Sequence, residues 1–259
     1  MIRASVLKRY VHVFLFLGAS TIALSDDGSR TGPEAESGDC IFVRHEVEGV
    51  VATFSTLQLE FEHKEKASSS TLNVLTTSVT QELFEAVMDY NPSEHVGPRL
   101  PVNNVPYHEA LAFAETFGEL IGEDVRLLTD YEWHALWDRS REQIMEDLDA
   151  FAWLADHDPM HFPGPPREVA QKKRDINCLY DFQGNVMEWV SYPDAPAGEA
   201  KAMGSHIAVY RSLFESDRYS QEVVVRSPLT QYGGRTGFRV AYQSSIAPNA
   251  SEDTAEGGH

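Results

Sequence analysis

The run Leu179-Tyr180-Asp181-Phe182-Gln183-Gly184-Asn185-Val186-Met187-Glu188-Trp189 spaces two carboxylates around a glycine and frames them with aromatic rings. Asp181 and Glu188 offer side-chain oxygens. Gly184 lets the backbone turn tightly enough for its own carbonyl and that of Val186 to face the same point. Hard oxygen donors in such an array suit calcium, which takes about six to eight of them in a flexible shell. A buried turn whose carboxylates accept backbone hydrogen bonds accounts for the same spacing equally well. Spacing leaves both readings open.

Further landmarks follow a fixed order around this run. Val79-Thr80-Gln81-Glu82-Leu83-Phe84 opens a helix-like stretch, Pro101-Val102-Asn103-Asn104-Val105 follows, then Arg126-Leu127-Leu128-Thr129-Asp130-Tyr131-Glu132-Trp133, and Gly237-Phe238-Arg239 comes near the end. Together these motifs resemble the signature of the formylglycine-generating enzyme, or sulfatase-modifying factor, family, from about Val79 to Tyr242. Several ordered motifs are far more specific than any one. The resemblance implies an α+β fold of the irregular, loop-rich, C-type-lectin-like kind, with a few helices and short antiparallel strands. It also implies calcium at the loop matched by Asp181, Gly184, Val186 and Glu188.

What the resemblance implies for catalysis fails at the residues that matter. Family enzymes oxidise a substrate cysteine at a copper(I) centre held by two thiolates, soft donors for a soft ion. Counting along the family pattern through Met203-Gly204-Ser205-His206 puts Ala208 and Leu213 where those thiols belong, and no cysteine follows Cys178. Copper is therefore not expected. The expected function is that of a secreted or periplasmic domain of this fold, acting by binding or assembly without copper-thiolate oxidase activity. Two alternatives stay open: an enzyme of formylglycine-generating or siderophore-maturation type with a different active site, and a C-type-lectin-like module for a protein, peptide or glycan ligand. His206, Arg226, Tyr232 and Arg235 are the candidate ligand cleft.

Composition sets outer bounds. A chain of 259 residues with 42% hydrophobic and 24% charged content suits one globular domain with a real core. Arg3, Lys8 and Arg9 precede an apolar run from Val11 to Leu17 and a small-residue site at Ala23-Leu24-Ser25, the pattern of a secretory signal over residues 1–25. It is short for a membrane span, which needs about 20 apolar residues. Removing its three basic residues from 21 leaves 18 against 40 acidic ones, a net charge of −22. Nucleic acid is thus not an expected partner. Residues 26–38 and 247–259 are polar and aperiodic, the pattern of a disordered linker and tail, which leaves 39–246 as the domain. In an oxidising compartment Cys40 and Cys178 can form one disulfide, though spacing does not prove the pairing.

Local patterns predict the elements. Alternating and β-branched residues over 41–62 predict paired strands before a Ser68-Ser69-Ser70 loop. Thr80 can cap a first helix with Leu83, Phe84, Val87 and Met88 on one face. Pro106 precedes a second that carries Ala110, Ala114, Phe117 and Ile121 and stops at Gly122. Thr129 and Glu132 make a capping box for a third, with Trp133, Leu136 and Trp137 turned inward. His157 and His161 have the spacing of a zinc helix, but Pro159 between them breaks such a helix. The arginines of the last third, Arg211 to Arg239, are read first as braces that tie loops to carboxylates.

Overall fold

A computed structural model describes residues 40–63, 66–155, 165–194, 199–204 and 236–244, with backbone alone at 14–15, 62–63, 154–155, 209–210 and 222–226. The expectations for residues 1–25, 26–38 and 247–259 fall outside that set, apart from the backbone of Phe14–Leu15 (β1), which pairs with Val43 and Arg44.

The main sheet is antiparallel throughout. Ile41–Val47 (β2) and Val50–His63 (β3) form a hairpin whose turn holds Glu48 and Gly49 at positive φ. Lys66–Leu75 (β4) returns along β3, and Val240–Gln243 (β12) inserts between β4 and Arg126–Leu127 (β5). The strand order is β1-β2-β3-β4-β12-β5, so the last strand among the described residues is held inside the sheet. The predicted loop at Ser68-Ser69-Ser70 is instead strand: these serines stand opposite Phe61, Glu60 and Leu59. Their low β propensity yields to the pairing of a long hairpin.

Both faces of this sheet are covered, and alternation along single strands shows it. Tyr242 packs in one core with Phe54, Phe84, Phe113 and Phe117, while its neighbour Ala241 faces the other with Leu57, Leu72, Trp133 and Leu136. The first core is closed by Gln81–Met88 (α1) and Tyr107–Ile121 (α2), the second by Asp130–Glu146 (α3) and the short Leu148–Phe151 (α4). The caps are those the sequence predicts. Thr80 Oγ1 accepts from the Leu83 N–H, and Gly122 ends α2 at φ 77°. Thr129 and Glu132 exchange both bonds of the capping box. Arg126 adds a two-pronged pair to the Glu132 carboxylate at 2.8 and 2.7 Å, which locks β5 to the start of α3.

A second sheet has the order β10-β8-β7-β11, formed by Glu222–Arg226 (β10), Glu199–Met203 (β8), Met187–Val190 (β7) and Thr236–Phe238 (β11). Its β7 and β11 run parallel, with Gly237 opposite Glu188 and Phe238 opposite Trp189. That register brings the two family-like motifs side by side. Leu154–Ala155 (β6) and Val209–Tyr210 (β9) form a two-stranded parallel pair. Cys40 and Cys178 are disulfide-bonded, joining the residue before β2 to the first turn of the carboxylate loop.

Candidate functional site: the carboxylate loop and its arginine

The loop from Asp175 to Glu188 is built from positive-φ turns: Cys178 at 60°, Asp181 at 51°, Gly184 at 92° and Asn185 at 63°. Only glycine fits at position 184, since a Cβ there would lie 3.0 Å from the Trp153 carbonyl oxygen and 3.2 Å from its Cβ. Asn185 clamps the far side by accepting from the Arg167 N–H and donating to the Arg167 carbonyl, both at 2.9 Å. Upstream, Asp175 accepts from the backbone N–H groups of Asn177 and Leu179 and so shapes the turn that presents Cys178.

The Asp181, Gly184 and Glu188 oxygens that the sequence assembles for a cation each have a protein partner. Asp181 Oδ1 accepts from the Trp153 indole at 3.0 Å, and Oδ2 accepts from the Ala170 N–H at 2.8 Å. The Gly184 carbonyl accepts from the Val186 N–H at 2.8 Å. Glu188 Oε1 accepts from the Ser78 hydroxyl at 2.8 Å and from Arg239 Nη2 at 3.1 Å, while Arg239 Nε reaches Oε2 at 3.3 Å. The remaining guanidinium protons go to the carbonyls of Leu75, Thr76 and Tyr180 at 2.9–3.1 Å. All five N–H groups of Arg239 therefore have acceptors.

This donor set does not fit calcium as it stands. A guanidinium already occupies the Glu188 carboxylate, and the Asp181 oxygens face N–H donors, whose positive ends would oppose a divalent ion. The arrangement matches the other reading of the spacing, a buried turn with hydrogen-bonded carboxylates, and calcium at Asp181, Gly184, Val186 and Glu188 stays an expectation of the sequence. Burial raises the Asp181 carboxyl above its ordinary range, against the lowering pull of Ala170, Trp153 and Arg239. Burial likewise raises Asp175, which also lies in the field of Arg239.

Arg239 is the residue whose role the loop itself does not announce. Its signal was the family-like Gly-Phe-Arg motif and the reading of the late arginines as braces, and the parallel β7–β11 register delivers it to Glu188. Gly237, opposite Glu188 in that register, is fixed by a separate contact, since a Cβ there would collide with the Val102 carbonyl. Trp153, whose indole holds Asp181, carries cations on its ring: Arg167 and Lys172 each sit 4.7 Å from the centroid. Of the candidate cleft, His206, Tyr232 and Arg235 lie outside the described residues. So do Ala208, Leu213, His157 and His161, and the Arg226 backbone pairs with Glu199 in the second sheet.

Comparison with known proteins agrees with this architecture. The sequence profile of the sulfatase-modifying factor enzyme 1-like domain (FGE-sulfatase) matches residues 62–244. The chain belongs to that family, with its C-type-lectin-like fold. Among solved structures, Treponema denticola variable protein 1 is similar at 18% identity and a TM-score of 0.60, over 78% of this chain and 98% of that one. CarF is similar at 17% identity and a TM-score of 0.56, over 73% and 97%. PvdO from Pseudomonas aeruginosa is similar at 15% identity and a TM-score of 0.54, over 74% and 92%. At these identities the likeness shows the fold. No curated protein matches the chain.

Proposed function

We propose that this chain is a secreted or periplasmic member of the sulfatase-modifying factor family that acts by binding or assembly and has no copper-thiolate oxidase activity. The observation that carries this reading is the sulfur inventory. The chain has two cysteines, and they are bonded to each other, Cys40 to Cys178. Copper(I) in the family's chemistry needs two free thiolates in one open site. Here Cys40 lies ahead of the region matched by the family profile, and Cys178 sits 6% exposed beside the buried carboxylate loop. A disulfide also suits an oxidising compartment and supports export. Among the described residues no helix is long and apolar enough to cross a membrane.

The ligand class is a protein, peptide or glycan. A negatively charged surface and a formal charge of −19 argue against nucleic acid. The test is incubation of the purified chain with copper(I), oxygen and a sulfatase-type cysteine peptide, with aldehyde detected by hydrazide capture. No aldehyde is expected, with or without prior reduction of the disulfide. Aldehyde formation that is lost in Cys40→Ser or Cys178→Ser would overturn the reading. Fractionation of the producing cell checks the compartment.

A further inference from the structure

A cavity of about 440 Å³ opens between the β2–β3 hairpin, the turn that leads into α1, and the segment that runs from Val169 to Tyr180. This lies within the range of roughly 300–1,000 Å³ in which small-molecule sites fall. Its charge is the reverse of the chain's. Arg44, Arg99 and Arg174 line it, with Glu82 as its one carboxylate, in a protein where acidic residues exceed basic ones by 19.

These guanidiniums are only partly spent. Arg99 pairs with Glu168 at 3.7 Å, an exposed and long contact. Arg174 Cζ lies 5.7 Å from the Phe42 ring centroid, a cation–π contact. Neither Arg44 nor Arg174 has a carboxylate partner among the described residues. Thr53 and Tyr180 add hydroxyls, and Phe42, Val51, Leu83 and Val169 supply an apolar wall. Guanidinium forks bind planar or tetrahedral oxyanions through paired N–H···O bonds, which a field of lysines would not orient as well.

We propose that this cavity binds a small molecule whose carboxylate, sulfate or phosphate group is held by Arg44, Arg99 and Arg174, with its body against the apolar wall. The inference is independent of the proposed function. It uses no residue of the segment aligned with the family's thiols, and its test reads no oxidase activity.

The test is isothermal titration calorimetry of the full chain with inorganic phosphate, sulfate and benzoate, at low and high sodium chloride. Saturable one-site binding that weakens with salt is expected for at least one probe, and the probe that binds tells a tetrahedral from a planar ligand group. Arg44→Gln and Arg174→Gln should each weaken it by about tenfold or more, as loss of a charge-assisted pair implies. Arg141→Gln, on the exposed face of α3, should leave it unchanged. Absence of saturable binding with all three probes, or wild-type affinity in both cavity variants, would overturn the proposal. Should either arginine variant fail to fold, Thr53→Val and Tyr180→Phe keep shape and charge. Reduced affinity in these supports the cavity, and unchanged affinity counts against it.

Discussion

Arg239 and Glu188, 51 residues apart in sequence, meet in the interior as an ion pair whose side chains are 0% and 5% exposed. The pair joins β7 to the end of β11, and the other Arg239 protons tie in the loops at Leu75, Thr76 and Tyr180. Removing one member leaves a buried charge without its counterpart. Glu188→Ala or Arg239→Met should each destabilise the chain by about 3–5 kcal/mol in urea unfolding. The double variant should recover part of that loss, because no lone charge remains. Additive losses in the double-mutant cycle would show that the two groups do not act as a pair.

The same geometry makes a prediction about metal. With its oxygens spent on Trp153, Ala170, Ser78 and Arg239, the carboxylate loop should melt at the same temperature with calcium and with a chelator. A calcium-dependent rise in Tm that disappears in Asp181→Ala would restore the cation to this loop and displace the ion pair from its assigned role.

The disulfide closes a long loop, its cysteines 138 residues apart in sequence. Cross-links of this span restrict the unfolded chain and contribute about 2–5 kcal/mol. The Cys40→Ser and Cys178→Ser double variant should unfold at correspondingly lower urea, and the native chain should show no thiol reactive with a chromogenic disulfide reagent until it is denatured and reduced.

Stability should fall on acidification through His45. Its ring is 1% exposed, bonded to the Tyr242 hydroxyl at 2.8 Å and flanked by the edges of Phe54 and Tyr242. Burial lowers its pKa from 6.5. A group depressed in the folded state contributes stability above its unfolded pKa that is lost as the pH falls. The loss should therefore begin below pH 6.5, with a limiting slope of about 1.4 kcal/mol per pH unit. Asp175 and Asp181 are raised and act in the opposite sense, since their neutral forms are the favoured ones at low pH. The contrast between wild type and His45→Gln isolates the histidine: the variant's unfolding free energy should vary less between pH 7 and pH 5.

What the sequence disclosed was local. Thr80, Gly122 and the Thr129–Glu132 box fix helix ends through bonds spanning three or four residues, so a linear reading finds them. Ser68 to Ser70 were misread because their conformation is set by strand residues seven or more positions upstream, across the hairpin. The carboxylate loop was located from its spacing, but the partner that Glu188 finds in Arg239 was not. Oxygens can be counted along a chain, whereas the guanidinium that meets them arrives through a parallel strand pair formed fifty residues later. The arginine-lined cavity was missed for the same reason, since Arg44, Arg99 and Arg174 come from three separate stretches with no shared periodicity.

The bond between Cys40 and Cys178 also fixes how the domain would bear load. Tension drawn in through the residues ahead of Cys40 is handed across the sulfur bridge to the turn at Asp175–Leu179, bypassing the β2–β3 hydrogen bonds that would otherwise unzip one at a time. A domain hung by its amino-terminal end in this way resists peeling, and single-molecule pulling should show a higher rupture force before reduction than after it.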